Sequence, residues 1–234
     1  MPFVTIYRWI TFLLAGGYVI RMILFSDYDE GLGPLRYLTI WALIGSFFCA
    51  SRMMALLEYR SERRWDGFIS AVAVINAMVV ILYWRLYFDD PTSVTRDGTR
   101  AVWYLDYYLH GLGPALQICD ALFIHRSFRR PATSALWLVG IVAVYLLWSE
   151  FVVQPMHSSP AGSVTSGLPY PFLNNLALTD RLGFYATNIV TALVLLAVFA
   201  GLAWAIRRAL PRGSEDEAAP PDSLDSEDAH QARS

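Results

Sequence analysis

Lysine is missing from this 234-residue chain, whose eighteen basic residues are all arginine. That absence removes Schiff-base and lysine-nucleophile chemistry and is in keeping with a GC-rich genome. Charge is scarce too: 16% of residues are charged and 56% hydrophobic, where a water-soluble domain has about 25% and 45–50%. The two cysteines, Cys49 and Cys119, both lie in apolar runs, so neither a disulfide framework nor a Cys/His zinc motif fits. Also absent are a G-x-S-x-G elbow, an H-E-x-x-H helix and a phosphate-cradling glycine loop. The hydroxyl residues between Gly162 and Gly167 read as a flexible loop. No basic patch is interleaved with aromatics, so no nucleic-acid partner is expected. Nothing calls for a metal or an organic cofactor.

What the chain does have is long apolar runs. A transmembrane helix needs about 20 mostly apolar residues to cross roughly 30 Å of hydrocarbon. Six stretches meet that length, near 3–25, 36–57, 68–88, 103–124, 133–153 and 182–206. The expectation is an all-α, polytopic membrane protein with six transmembrane helices in one domain, residues 1–212. Arg8, Arg21 and Arg85 fall within these runs and must snorkel or face protein. The first run carries no small-residue cleavage site after Gly16-Gly17, so it is read as a span rather than a signal peptide.

Arginine sets the expected orientation. Arg60, Arg63 and Arg64 fill one connection, Arg126, Arg129 and Arg130 another, and Arg207, Arg208 and Arg212 follow the last span. These ends are expected on the cytoplasmic side, with both termini inside. Residues 213–234 hold seven acids against one arginine and almost no large apolar side chain. They read as a disordered acidic cytoplasmic tail.

Ionisable groups within hydrocarbon cost about 2.5–3.5 kcal/mol on insertion scales, so those inside the spans are the candidates for function. They are Asp106, His110, Asp120 and Glu150, with Thr39, Asn76 and Asn188 as uncharged company. Asp106 and His110 stand four positions apart, on one helix face, where the carboxylate can bond the imidazole and set its tautomer. The bland alternative is an Asp106 hydrated in the aromatic belt and a His110 bonded to a neighbouring helix. Thr39 and His110 fall about 5 and 10 Å inward from the same side of the bilayer, so the two can meet. A threonine hydroxyl needs an adjacent base to act as a nucleophile. Equally, membrane helices use threonine to bond backbone carbonyls. Asp120 is expected to pair with Arg52 or Arg126, Glu150 to be a hydrated interfacial carboxylate, and His125 and His157 to be solvated.

The residues resemble a known family at several points. The run Arg36-Tyr37-Leu38-Thr39-Ile40-Trp41, His110 with Pro114 one turn later, and Tyr170-Pro171-Phe172-Leu173 are similar, in order, to the androgen-induced protein family. That family includes the androgen-dependent regulator of tissue factor pathway inhibitor. Trp65-Asp66, Tyr83-Trp84 and Tyr145-Leu146-Leu147-Trp148 extend the likeness over about residues 3–206. The resemblance implies a six-helix intramembrane hydrolase acting on fatty acid esters of hydroxy fatty acids, with Thr39 as nucleophile and His110 as base. Two departures stand out: Asp106 occupies a position where asparagine is expected, and Pro114 comes one residue early.

On that basis the expected chemistry is acyl transfer from a lipid ester to Thr39 and then to water, in a cavity open to membrane lipids. Trp41, Asn76, Asn188 and Tyr170 are the candidate oxyanion donors, although Tyr170-Pro171 also reads as a simple helix-opening turn. The rival is a non-catalytic transporter or lipid-binding protein that uses Asp106 and His110 as a polar site. Against a transporter, the chain lacks matched Gly/Pro-broken helices in two halves.

Overall fold

The computed structural model describes residues 2–28, 32–94 and 102–210. Arg96, Arg100, Arg212 and the acidic segment 213–234 lie outside them. The described residues are helical throughout except for connections, and the helices fall where the apolar runs do. They are α1 (Pro2–Leu24), α2 (Leu38–Leu57), α3 (Asp66–Asp89), α5 (Pro131–Met156) and α6 (Leu178–Ala209), all five long and apolar enough to cross a membrane. Between α3 and α5, the abutting segments Trp103–Tyr107, Tyr108–Leu112, Gly113–Cys119 and Asp120–Ile124 follow one another as a kinked helix, α4, in which the second and fourth are π turns.

The bundle is organised around α3. Every residue from Ile69 to Val79 is buried, as expected for a helix that is apolar on all sides. Small residues let its neighbours come close. A Cβ placed on Gly67 would stand 2.8 Å from Thr133 Cγ2 of α5, and one on Gly45 of α2 would stand 3.1 Å from Val72. The core therefore runs from Ala42, Cys49 and Met53 of α2 through α3 to Leu138 of α5 and Ala192, Leu196 and Ala203 of α6.

At one end of the bundle the arginine-bearing connections meet. Arg64 donates to the His125 carbonyl (3.0 Å) and Arg207 to that of Phe128 (3.3 Å). Two expectations are corrected here. His125 is buried, not solvated: its Nε2 faces Asp66 Oδ1 at 2.8 Å and the Arg64 carbonyl at 3.1 Å. Asp120 pairs with Arg8 of α1 at 3.4 Å, both buried, rather than with Arg52 or Arg126. The helix packing brings together residues 112 positions apart, which no local spacing signals. Arg8 thus faces protein, while Arg85 is exposed.

The opposite end is closed by the segment between α5 and α6. Instead of a flexible loop, residues 157–177 fold around Asn174, which is fully buried. Asn174 Nδ2 donates to the Pro160 and Leu168 carbonyls (2.8 and 3.0 Å), and its Oδ1 accepts from the Leu168 amide at 3.2 Å. Its own carbonyl takes the amides of Val164 and Thr165. Gly167 adopts φ +90°, with backbone oxygens where a Cβ would sit, a position open to glycine alone. His157, expected in solvent, is buried here with Nδ1 against the Val153 carbonyl at 2.9 Å. Glu150, expected hydrated, pairs with Arg181 (3.2 Å) and accepts from the Tyr185 phenol at 2.7 Å, tying α5 to α6.

Replacing Asn174 by alanine strands the Leu168 amide and carbonyl and removes one of two donors from the Pro160 carbonyl, at about 1–3 kcal/mol for the local unit. Asn174→Ala is expected to speed protease cleavage within 157–177 by about ten-fold or more, with little change in melting of the helices. Unchanged cleavage would mean that the cap does not depend on Asn174.

Candidate functional site

A kink in α4 builds the site. Pro114 has no amide to give to the His110 carbonyl four residues back, and the backbone at His110 leaves helical geometry (φ −111°, ψ 15°). The Gly113 amide reaches five back, to the Tyr108 carbonyl. A π turn results, a feature common at functional sites. The released His110 carbonyl is taken by the indole of Trp84 on α3 at 2.8 Å.

Tyr83, next to Trp84, holds the imidazole itself. Its ring lies flat on that of His110, centroids 3.5 Å apart and planes within 1°. Its hydroxyl donates to Asp106 Oδ1 at 2.5 Å, and the same oxygen stands 3.0 Å from His110 Nδ1. Asp106 is 2% exposed, so it is not an aromatic-belt carboxylate in water. With the carboxylate accepting at Nδ1, the imidazole presents its bare Nε2 on the far side. There it meets Thr39 Oγ1 at 3.4 Å.

Thr39 is the second residue of α2. The chain enters extended at Tyr37 (φ −98°, ψ 133°), so the carbonyl four residues behind Thr39, that of Leu35, belongs to the separate turn Gly33–Arg36 and does not take the threonine hydroxyl. The backbone-bonding alternative for this threonine is therefore not adopted. The nearby Leu35 carbonyl accepts from two indoles, Trp41 at 2.9 Å and Trp148 at 3.1 Å. These bonds strap the start of α2 to α5.

Thr39 and His110 share the wall of a cavity of about 280 Å³, with Tyr145, Ser149, Tyr170 and Asn188 also on it and aliphatic side chains over most of the rest. The four candidate oxyanion donors separate. Trp41 is off the main cavity, its N–H committed to Leu35. Asn76 is also displaced: its amide nitrogen donates to Ser46 Oγ and the Val72 carbonyl, each at 2.9 Å, beside a small cleft behind Thr39. Asn188 is on the wall, its amide nitrogen donating to the Phe184 carbonyl at 2.8 Å. Tyr170 is more than a helix-opening turn. Its phenol donates to the Tyr145 phenol and meets the Leu38 amide, and burial pushes it well above the ordinary phenol range.

A family model described as FAR-17a/AIG1-like protein matches residues 30–203, well over half the chain and the whole of this site. The chain belongs to the FAR-17a/AIG1-like family. No curated protein and no solved structure matches this FAR-17a/AIG1-like chain at a significant level.

Sequence reasoning gave Tyr83 and Trp84 no role in the site, because no spacing rule links α3 to a group 23 positions away. The mid-span proline was the available signal, since it announces a carbonyl in need of a donor. Trp84→Phe leaves that carbonyl without the indole and is expected to lower stability in detergent by about 1–3 kcal/mol. Adding Pro114→Ala supplies a new amide to His110 and is expected to recover part of the loss. Strict additivity of the two changes in thermal unfolding would contradict the exchange of donors.

Proposed function

We propose that this chain is an intramembrane hydrolase of lipid esters, with Thr39 as nucleophile, His110 as general base and acid, and Asp106 as the group that orients the imidazole. The observation that carries this reading is the hydroxyl–imidazole–carboxylate line, 3.4 and 3.0 Å, on the wall of an apolar cavity. The first distance is long for a hydrogen bond, as is common before substrate binds. Fatty acid esters of hydroxy fatty acids, the substrates implied by the family resemblance, suit such a cavity: an acyl chain lies against its aliphatic wall while the ester reaches Thr39.

The reaction has two halves. His110 Nε2 takes the Thr39 proton as Oγ1 attacks the ester carbonyl, and the protonated imidazole, paired with Asp106, then gives that proton to the departing alkoxide. The product is an acyl-threonine. Water enters, gives a proton to Nε2 and attacks the acyl carbon; collapse expels Thr39, which is reprotonated, and releases the fatty acid. Tyr83 supports the imidazole throughout by its ring face and by its bond to Asp106. Six spans, termini inside and the cavity facing the outer leaflet complete the proposal, since the three arginine-bearing ends cluster away from the cavity.

Full-length protein in detergent is expected to hydrolyse p-nitrophenyl decanoate. His110→Ala is expected to reduce kcat by about 10²–10⁴-fold, Thr39→Ala to bring it to background, and both to keep wild-type helicity. Thr39→Ala with wild-type kcat would remove the nucleophile. No turnover by the wild type, with saturable ester binding, would favour a lipid-binding protein instead.

A further inference from the structure

Serines and threonines in helices usually donate to the carbonyl four residues back. Thr11, Ser46, Ser134, Thr187 and Thr191 all do so here, at 2.8 to 3.0 Å. Ser149 does not. It opens the π turn of α5, is 3% exposed, and lines the same cavity as Thr39, yet its Oγ makes no hydrogen bond of acceptable geometry. The Tyr145 carbonyl four residues back already accepts the Ser149 amide. The Tyr145 phenol oxygen lies beside the hydroxyl without the alignment of a good hydrogen bond: it gives its own proton to the Arg36 carbonyl at 3.1 Å and is already met by the Leu38 amide and the Tyr170 phenol.

An unmatched buried donor costs free energy that an incoming acceptor recovers. The acceptor that suits this wall is uncharged and has no proton of its own, because the surroundings are largely aliphatic and the hydroxyl supplies the proton. An ester carbonyl has that character. The hydroxyl is also on the nucleophile's side of the cavity: the Tyr145 phenol beside it meets the amide of Leu38, the residue before Thr39.

We propose that Ser149 is a further catalytic residue, whose hydroxyl donates to the carbonyl oxygen of the bound ester and to the oxyanion that forms there. The assignment rests on the hydrolase reading of this cavity. When Thr39 Oγ1 bonds to the carbonyl carbon, its proton goes to His110 Nε2 and the carbonyl π pair moves onto oxygen. Ser149 keeps its proton throughout and strengthens its hydrogen bond as that charge grows.

Two measurements on the full-length protein test this. With p-nitrophenyl decanoate, Ser149→Ala is expected to lower kcat about 100-fold, the loss typical of one oxyanion donor, with KM within about two-fold by the differential-binding argument. Ser149→Thr, which keeps the hydroxyl, restores most of the rate. Melting of Ser149→Ala is expected to be no lower than wild type, because an unmatched hydroxyl has been removed. Independently of turnover, the infrared carbonyl band of the ¹³C-labelled ester bound to Thr39→Ala lies below its position in detergent, and Ser149→Ala in that background moves it back up. Ser149→Ala with near-wild-type kcat, or a band indifferent to Ser149, overturns the assignment while Thr39 dependence stands. A wild type no faster than Thr39→Ala overturns the hydrolase reading and the catalytic role of Ser149 together.

Discussion

One missing amide shapes the centre of this protein. Because Pro114 cannot bond the carbonyl of His110, α4 cannot run straight, and the histidine backbone departs from helical geometry where the helix would otherwise bury it among its own turns. Two adjacent residues of α3 answer that break. Trp84 takes the freed carbonyl, while Tyr83 stacks on the ring and holds the carboxylate that orients it. The kink is thus a two-helix device. Its output is an imidazole with one nitrogen bound to Asp106 and the other turned across the bundle to α2.

The partner across that gap depends on a helix start. Thr39 in mid-helix would donate to the carbonyl behind it, as Ser46 does about two turns further along α2. At the second position of the helix the carbonyl four residues back is that of Leu35, ahead of α2, and it accepts from two indoles of α2 and α5 instead. Placement of the threonine at a helix start, and of the histidine at a π turn, follows one logic: both residues lie where ordinary helical hydrogen bonding has been interrupted. Ser149, at the opening of the π turn in α5, shares that character.

Much of the architecture was legible in the amino-acid order. Apolar runs of about 20 residues located the helices to within a few positions, because hydrocarbon thickness leaves little choice of length. The i,i+4 spacing of Asp106 and His110 and the shared depth of Thr39 and His110 anticipated three side chains that do come together. What escaped was set by packing between distant segments. Asp120 meets Arg8 rather than its sequence neighbours, His125 and His157 are enclosed by folded connections, and Trp41 and Asn76 spend their donors on neighbouring protein groups. Composition gave the 162–167 stretch as a flexible loop, but the buried Asn174 side chain, with Asn175 on Ser163 and Gln154 on Thr165, holds it folded.

The central claim is that the Thr39 hydroxyl is activated by His110 and is open to an electrophile from the cavity. A long-chain fluorophosphonate probe tests activation and access at once, with the modified residue located by mass spectrometry of the full-length protein. The account predicts a single adduct on Thr39 that is lost in His110→Ala. Labelling confined to another residue, or labelling of Thr39 that persists undiminished without His110, would contradict it.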